Sequence, residues 1–140
     1  MAHIEQSEQG DDCVFCVIVR GEAPCRPVME SRLALCFLSN DDQTDYHLLV
    51  IPKRHAVNVL DCDAESLHAV ADLAQRVGRH LVDDCGFDGG DLLNTSFVGD
   101  QSVMHLHVHL IARKYGDGLD TWPKLPGRSL GLDAAWRALR

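Results

Sequence analysis

Apolar positions along this chain fall into short runs, one long amphipathic stretch and one run in which they alternate with histidine. Leu33–Leu38 and Tyr46–Ile51 are mostly apolar and predict two strands, the second stopped by Pro52. Between them, Ser39–Asp45 is polar and acidic, with Asn40 and Asp41 as turn formers. Leu67, Val70, Leu73, Val77 and Leu81 recur at spacings of three and four, which predicts one long helix from Asp63 to about Cys85. Asp61 or Asp63 can cap its start, and Gly86 can stop it. A turn at Gly89–Gly90 and a strand at Leu92–Phe97 follow. Met104-His105-Leu106-His107-Val108-His109-Leu110-Ile111 then alternates with period two, so a strand would carry three imidazoles on one face. Leu132–Leu139 predicts a short terminal helix.

Cys13–Arg20 is apolar and can run into a short strand or helix before Gly21 and Pro24 break it. Residues 1–12 are expected to be a flexible arm, and residues 13–140 a single domain, as the length of 140 suggests. One long helix among strands with hairpin-length loops predicts an α+β fold on an antiparallel sheet.

Composition narrows the function. The formal net charge is −8 and no basic tract is present, which argues against binding a nucleic-acid backbone. A small ligand held by a local set of donors remains open. The first residues lack a basic segment followed by an apolar run, so no signal peptide is expected. No stretch approaches the ~18 apolar residues of a membrane span. A cytoplasmic location is expected, with the six cysteines reduced. Cys36 and Cys62 read as buried or partly buried apolar positions, and His68 and His80 as surface residues off the helical stripe.

The three histidines admit two chemistries. Same-face neighbours on a strand lie about 6.5–7 Å apart, so two can share a metal while the outer pair converges poorly. Alternatively, a neutral imidazole attacks phosphorus while its neighbours bind phosphate oxygens. Amides and hydroxyls of the loop Val98-Gly99-Asp100-Gln101-Ser102 could complete a phosphate pocket. Cys13 and Cys16 have the spacing of a zinc half-site, which needs two more ligands to close.

Gln101-Ser102-Val103-Met104-His105-Leu106-His107-Val108-His109-Leu110 resembles the signature of the histidine triad (HIT) superfamily. Tyr46-His47-Leu48-Leu49-Val50-Ile51-Pro52-Lys53-Arg54-His55 is similar to an upstream strand and turn of that family. Asn94 lies seven residues before Gln101, as the family's asparagine does, and Cys13-Val14-Phe15-Cys16 resembles an N-terminal block of bacterial members. The resemblance implies a HIT-like fold and a hydrolase of nucleoside phosphoramidates or dinucleoside polyphosphates. The enzyme would cleave at the α-phosphate through a nucleotidyl-histidine intermediate, on a purine nucleotide or nucleoside phosphoramidate. It implies His107 as nucleophile, His109 as phosphate ligand, Ser102 and Gln101 near the leaving group, Asn94 near ribose and phosphate, and His47 as support. It further implies a structural zinc held by Cys13, Cys16, His55 and His105, and a homodimer.

The chain departs from the family at the ribose position, eight residues before His47. Ser39-Asn40 stands there in place of an acidic and an aliphatic residue, and Tyr46 replaces a common glycine. Asp41 and Asp42 are nearby substitutes. The departure keeps open a nucleotide-binding regulatory module with little turnover, as well as a purely metal-binding histidine strand.

Overall fold

The structure, a computed structural model, describes residues 13–140. The expected flexible arm, residues 1–12, lies outside the described residues. The elements are α1 (Val14–Val19), β1 (Arg26–Glu30), β2 (Ala34–Leu38), β3 (His47–Pro52), α2 (Ala64–Asp84), β4 (Gly89–Leu93), β5 (Val108–Arg113) and α3 (Leu132–Ala138). The strands form one antiparallel sheet in the order β1-β2-β3-β5-β4. This is the expected α+β architecture. Among the described residues, no helix is long and apolar enough to cross a membrane.

At β2 and β3 the sheet is apolar on both faces because both are covered. Ala34, Cys36, Leu48, Val50, Leu110 and Ala112 face α2, whose Val70, Leu73, Ala74, Val77 and Leu81 complete that core. The intervening residues Leu35, Phe37, Leu49 and Ile51 face α1 and its Cys13, Phe15 and Cys16. This is why β2 and β3 read as continuous apolar runs rather than alternating ones. Asp63 caps α2 by accepting the Ser66 N–H at 3.0 Å. Gly86, at φ 80°, ends α2 in a conformation that favours glycine. The Phe87 N–H then reaches back to the Leu81 carbonyl.

Four expectations change. β1 had no sequence signal: it is an exposed edge strand, and its register slips between Pro27 and Met29. Gly89–Gly90 is not a turn but the start of β4, opposite Arg113 and Ala112. The strand expected at Leu92–Phe97 ends at Leu93.

The fourth change concerns the histidines. Only His109 lies in β5; His105 and His107 precede it in a bent segment. The β3–β5 ladder begins at Val50↔Val108. Beyond Val50, Pro52 has no N–H to continue it. The Leu106 N–H turns instead to the Ala56 carbonyl, at 2.7 Å. The three rings therefore do not share one flat face.

Candidate functional site

The bend separates the triad into two neighbourhoods. His105 is fully buried and points toward α1 and the turn after β3. Its Nδ1 lies 3.3 Å from Cys13 Sγ, 3.5 Å from Cys16 Sγ and 3.2 Å from His55 Nδ1. Cys16 Sγ is 3.3 Å from His55 Nδ1. All four donor atoms lie within 4.8 Å of one another. A tetrahedral zinc with Zn–S of about 2.3 Å and Zn–N of about 2.0–2.1 Å has ligand–ligand edges of about 3.3–3.8 Å. The observed spacings have this size. His105 Nε2 donates to the Pro52 carbonyl at 2.9 Å, which leaves Nδ1 with its lone pair toward the cluster. Burial pushes His105 down to about 4, so it stays neutral, as a ligand must. The residues fit a closed Cys2His2 zinc site.

The backbone holds this cluster from both sides. Cys13 is the residue at the N-cap of α1, and the first helical turn brings Cys16 back beside it. His55 sits in a turn fixed by Asp61, whose carboxylate accepts the Val57 and Asn58 N–H groups. The Asp61 signal was present in the sequence as a possible helix cap; Asp63 has that role instead.

His107 turns the other way. Its Nδ1 donates to the His105 carbonyl at 2.7 Å, which fixes the tautomer and leaves the Nε2 lone pair available. The ring is buried, and burial lowers its pKa, so the imidazole is neutral near pH 7. Its ring lies 4.9 Å from that of His109, centroid to centroid. Asn94 Nδ2 donates to the His107 carbonyl at 3.0 Å, and Ser96 Oγ donates to Asn94 Oδ1. Asn94 therefore grips the backbone of the nucleophile candidate.

Gln101 is spent on the loop. Its Nε2 donates to the Val57 and Val103 carbonyls, and its Oε1 accepts from Asn58. Ser102, beside it, is exposed. Asn58 carried no sequence signal, yet it is buried and ties the His55 turn to the Gln101 loop.

His47 is buried at the start of β3, on the α1 face of the sheet. It is the diagonal neighbour of His109, since Leu49 pairs with His109. Its Nε2 lies 2.8 Å from His109 Nδ1, and its Nδ1 lies 3.0–3.1 Å from the Asp41 carboxylate. Ser39 Oγ donates to Asp41 Oδ2 at 3.0 Å, so Ser39 braces that carboxylate. Burial raises the Asp41 pKa, but hydrogen bonds from His47, the Gln43 N–H and Ser39 outweigh it and leave the group lowered. Burial also pushes His109 down to about 4, with the charges of His107 and His47 adding to the effect.

A cavity of about 540 Å³ opens beside this arrangement, lined among others by Phe15, Ile18, Arg26, Phe37, Asn40 and Leu49. Phe15 joins it to the site, because its ring contacts His107 edge-on. Another cavity, at Asp91, Arg113 and Asp117, lies at the far end of β5 and includes none of the triad histidines in its lining, and its charges already pair with one another.

A family model of the HIT domain matches residues 20–116. The chain is 34% identical over 131 residues to adenylylsulfatase HINT3 of Arabidopsis thaliana, covering 93% of this chain and 66% of that protein. It is also 34% identical over 118 residues to adenosine 5'-monophosphoramidase hnt1 of Schizosaccharomyces pombe, covering 81% and 85%. A zinc-bound histidine triad family protein from Mycobacterium smegmatis superposes with a TM-score of 0.72 at 34% identity, covering 83% and 84%. With its HIT domain, its sheet topology and its split histidine triad, the chain belongs to the HIT family.

Proposed function

We propose that the protein is a hydrolase of nucleoside phosphoramidates or dinucleoside polyphosphates, acting at the α-phosphate. The observation that carries this is the His107 tautomer. Nδ1 is committed to the His105 carbonyl, so a neutral, buried ring presents Nε2 as a nucleophile. Nε2 attacks the α-phosphorus, a nucleotidyl–His107 bond forms and the bond to the leaving group breaks. Water then cleaves the phosphorus–nitrogen bond and returns His107. His109 binds the phosphate and Ser102 lies toward the leaving group. Gln101 holds the loop there, and Asn94 keeps the His107 backbone in line. The cavity beyond Phe15 takes the nucleoside, a purine in this reading, with Asn40 at its ribose end.

The names of the two relatives support this class of chemistry without fixing the substrate. Cys13, Cys16, His55 and His105 would hold zinc, with no open position for substrate. Bound there, zinc supplies structural stability rather than reactivity. Residues 13–140 act as one HIT domain. A reducing, cytoplasmic setting suits a site built on two thiols. The exposed Trp122, Leu125, Leu132 and Trp136 leave apolar surface for a second copy in a homodimer.

The test is incubation with adenosine 5'-phosphoramidate, comparing the unmodified protein with His107→Ala. Turnover lost in the variant, with an adenylylated species trapped by mass spectrometry in the unmodified protein, supports the reading. Binding of AMP with no turnover would replace it with a regulatory nucleotide-binding module.

A further inference from the structure

We infer that Asp41 is a positioning residue that makes the His47–His109 pair take up a proton when an anionic phosphate docks. The inference rests on the phosphate-binding role proposed for His109. Its basis is a chain of three groups from three parts of the fold: the turn before β3, β3 itself and β5.

The contacts restrict where protons can sit. Asp41 has only acceptors when ionised, so His47 Nδ1 must carry a proton toward it. His47 Nε2 and His109 Nδ1 are 2.8 Å apart, so one proton lies between them. If that proton belongs to His109, both rings are neutral, and His109 Nε2 carries a lone pair that repels a phosphate oxygen. If His47 holds both protons, it is an imidazolium, and its Nε2 donates to His109 Nδ1. His109 then carries its own proton at Nε2 and donates it to the phosphate oxygen. The second arrangement needs one more proton and places a positive charge on buried His47. The Asp41 carboxylate, 3.0 Å away, is the group that offsets that charge.

Among the described residues, Asp41 is the acid that His47 meets. His47 meets Asp41 on one side and His109 on the other, while His109 meets His47 and His107. The carboxylate is itself held by Ser39 Oγ and the Gln43 N–H. Ser39 thus acts through Asp41 rather than on a ligand directly.

Asp41→Asn keeps an acceptor for His47 Nδ1 and removes the charge; Asp41→Glu keeps the charge. Imidazole nitrogen shifts of His47 and His109 are followed by NMR in the ligand-free proteins from pH 4 to 8. Proton uptake by the pair is expected at a pH lower by about one unit in Asp41→Asn and near the unmodified value in Asp41→Glu. With adenosine 5'-phosphoramidate, the alkaline limb of kcat/KM is expected to move down by the same amount, about a tenfold loss at pH 8 in Asp41→Asn. Coincident midpoints for the unmodified protein and Asp41→Asn would overturn the inference, as would an equal shift in Asp41→Glu. Absence of turnover in the unmodified protein counts against the hydrolase reading alone, because the ligand-free titration still decides the role of Asp41.

Discussion

Phe15 meets His107 edge to face, with ring centroids 5.4 Å apart and planes at 79°. The same ring meets His105 at 5.7 Å and 77°, and Phe37 at 5.7 Å. One side chain thus packs against a metal-ligand candidate and the proposed nucleophile together. It lies between Cys13 and Cys16 in the sequence, so the start of α1 ties the proposed metal cluster to the proposed nucleophile. Phe15→Ala is expected to lower unfolding stability by about 3–5 kcal/mol in urea titration, as for other buried phenylalanines. It is also expected to lower kcat, because His107 loses the wall that fixes its ring. Full stability in that variant would show that α1 contributes little to the core.

Zinc is expected at one equivalent in protein purified without chelator. Cys13→Ser removes one corner of the tetrahedron, and elemental analysis of that variant is expected to show little retained metal. A ligand bound at ~1,000 times its Kd stabilises by about 4 kcal/mol, so stripping the zinc is expected to lower Tm by several degrees. His107→Ala, outside the cluster, is expected to retain the metal. Retention of a full equivalent by Cys13→Ser would overturn the ligand set.

Gln101→Ala separates a loop-holding role from a leaving-group contact. The substitution removes donors to Val57 and Val103 and leaves the buried Asn58 amide without its acceptor. An unsatisfied buried polar group costs about 1–3 kcal/mol, and urea titration is expected to show a loss of that size. A loss of kcat with no change in stability would favour direct contact with the leaving group.

The amphipathic stripe Leu67–Leu81 and the apolar β2 and β3 were legible because hydrophobic period reports burial directly. β1 was not, because an edge strand containing Pro27 and exposed polar positions carries no such period. The histidine alternation was misleading about backbone geometry. A period of two signals a strand only where a partner continues the ladder, and here Pro52 and the Leu106–Ala56 contact end it. The cluster of Cys13, Cys16, His55 and His105 was reachable only through the family resemblance, since its members lie up to 92 positions apart. Asn58 and the His47 contact of Asp41 were invisible as chemistry. Both residues sit in turns, where their types are common for local reasons.

His109 offers a test in the pH dependence of stability. Burial, then the charges of His107 and His47, push its pKa down to about 4, against an unfolded value near 6.5. Between these values the unfolded chain binds a proton that folded His109 refuses. Its contribution to stability is therefore complete above about pH 6.5 and is lost as the pH falls toward about 4. His109→Gln removes this group while keeping a polar side chain opposite Leu49 in the ladder. Urea midpoints measured from pH 7.5 down to pH 4.5 are expected to fall less steeply for the variant than for the unmodified protein. The two curves are expected to converge toward the acid end, since the unmodified protein loses there what the variant never had. Parallel curves would show that His109 titrates in the folded protein as it does in the unfolded chain, and that its burial against His47 and His107 imposes no constraint on its charge.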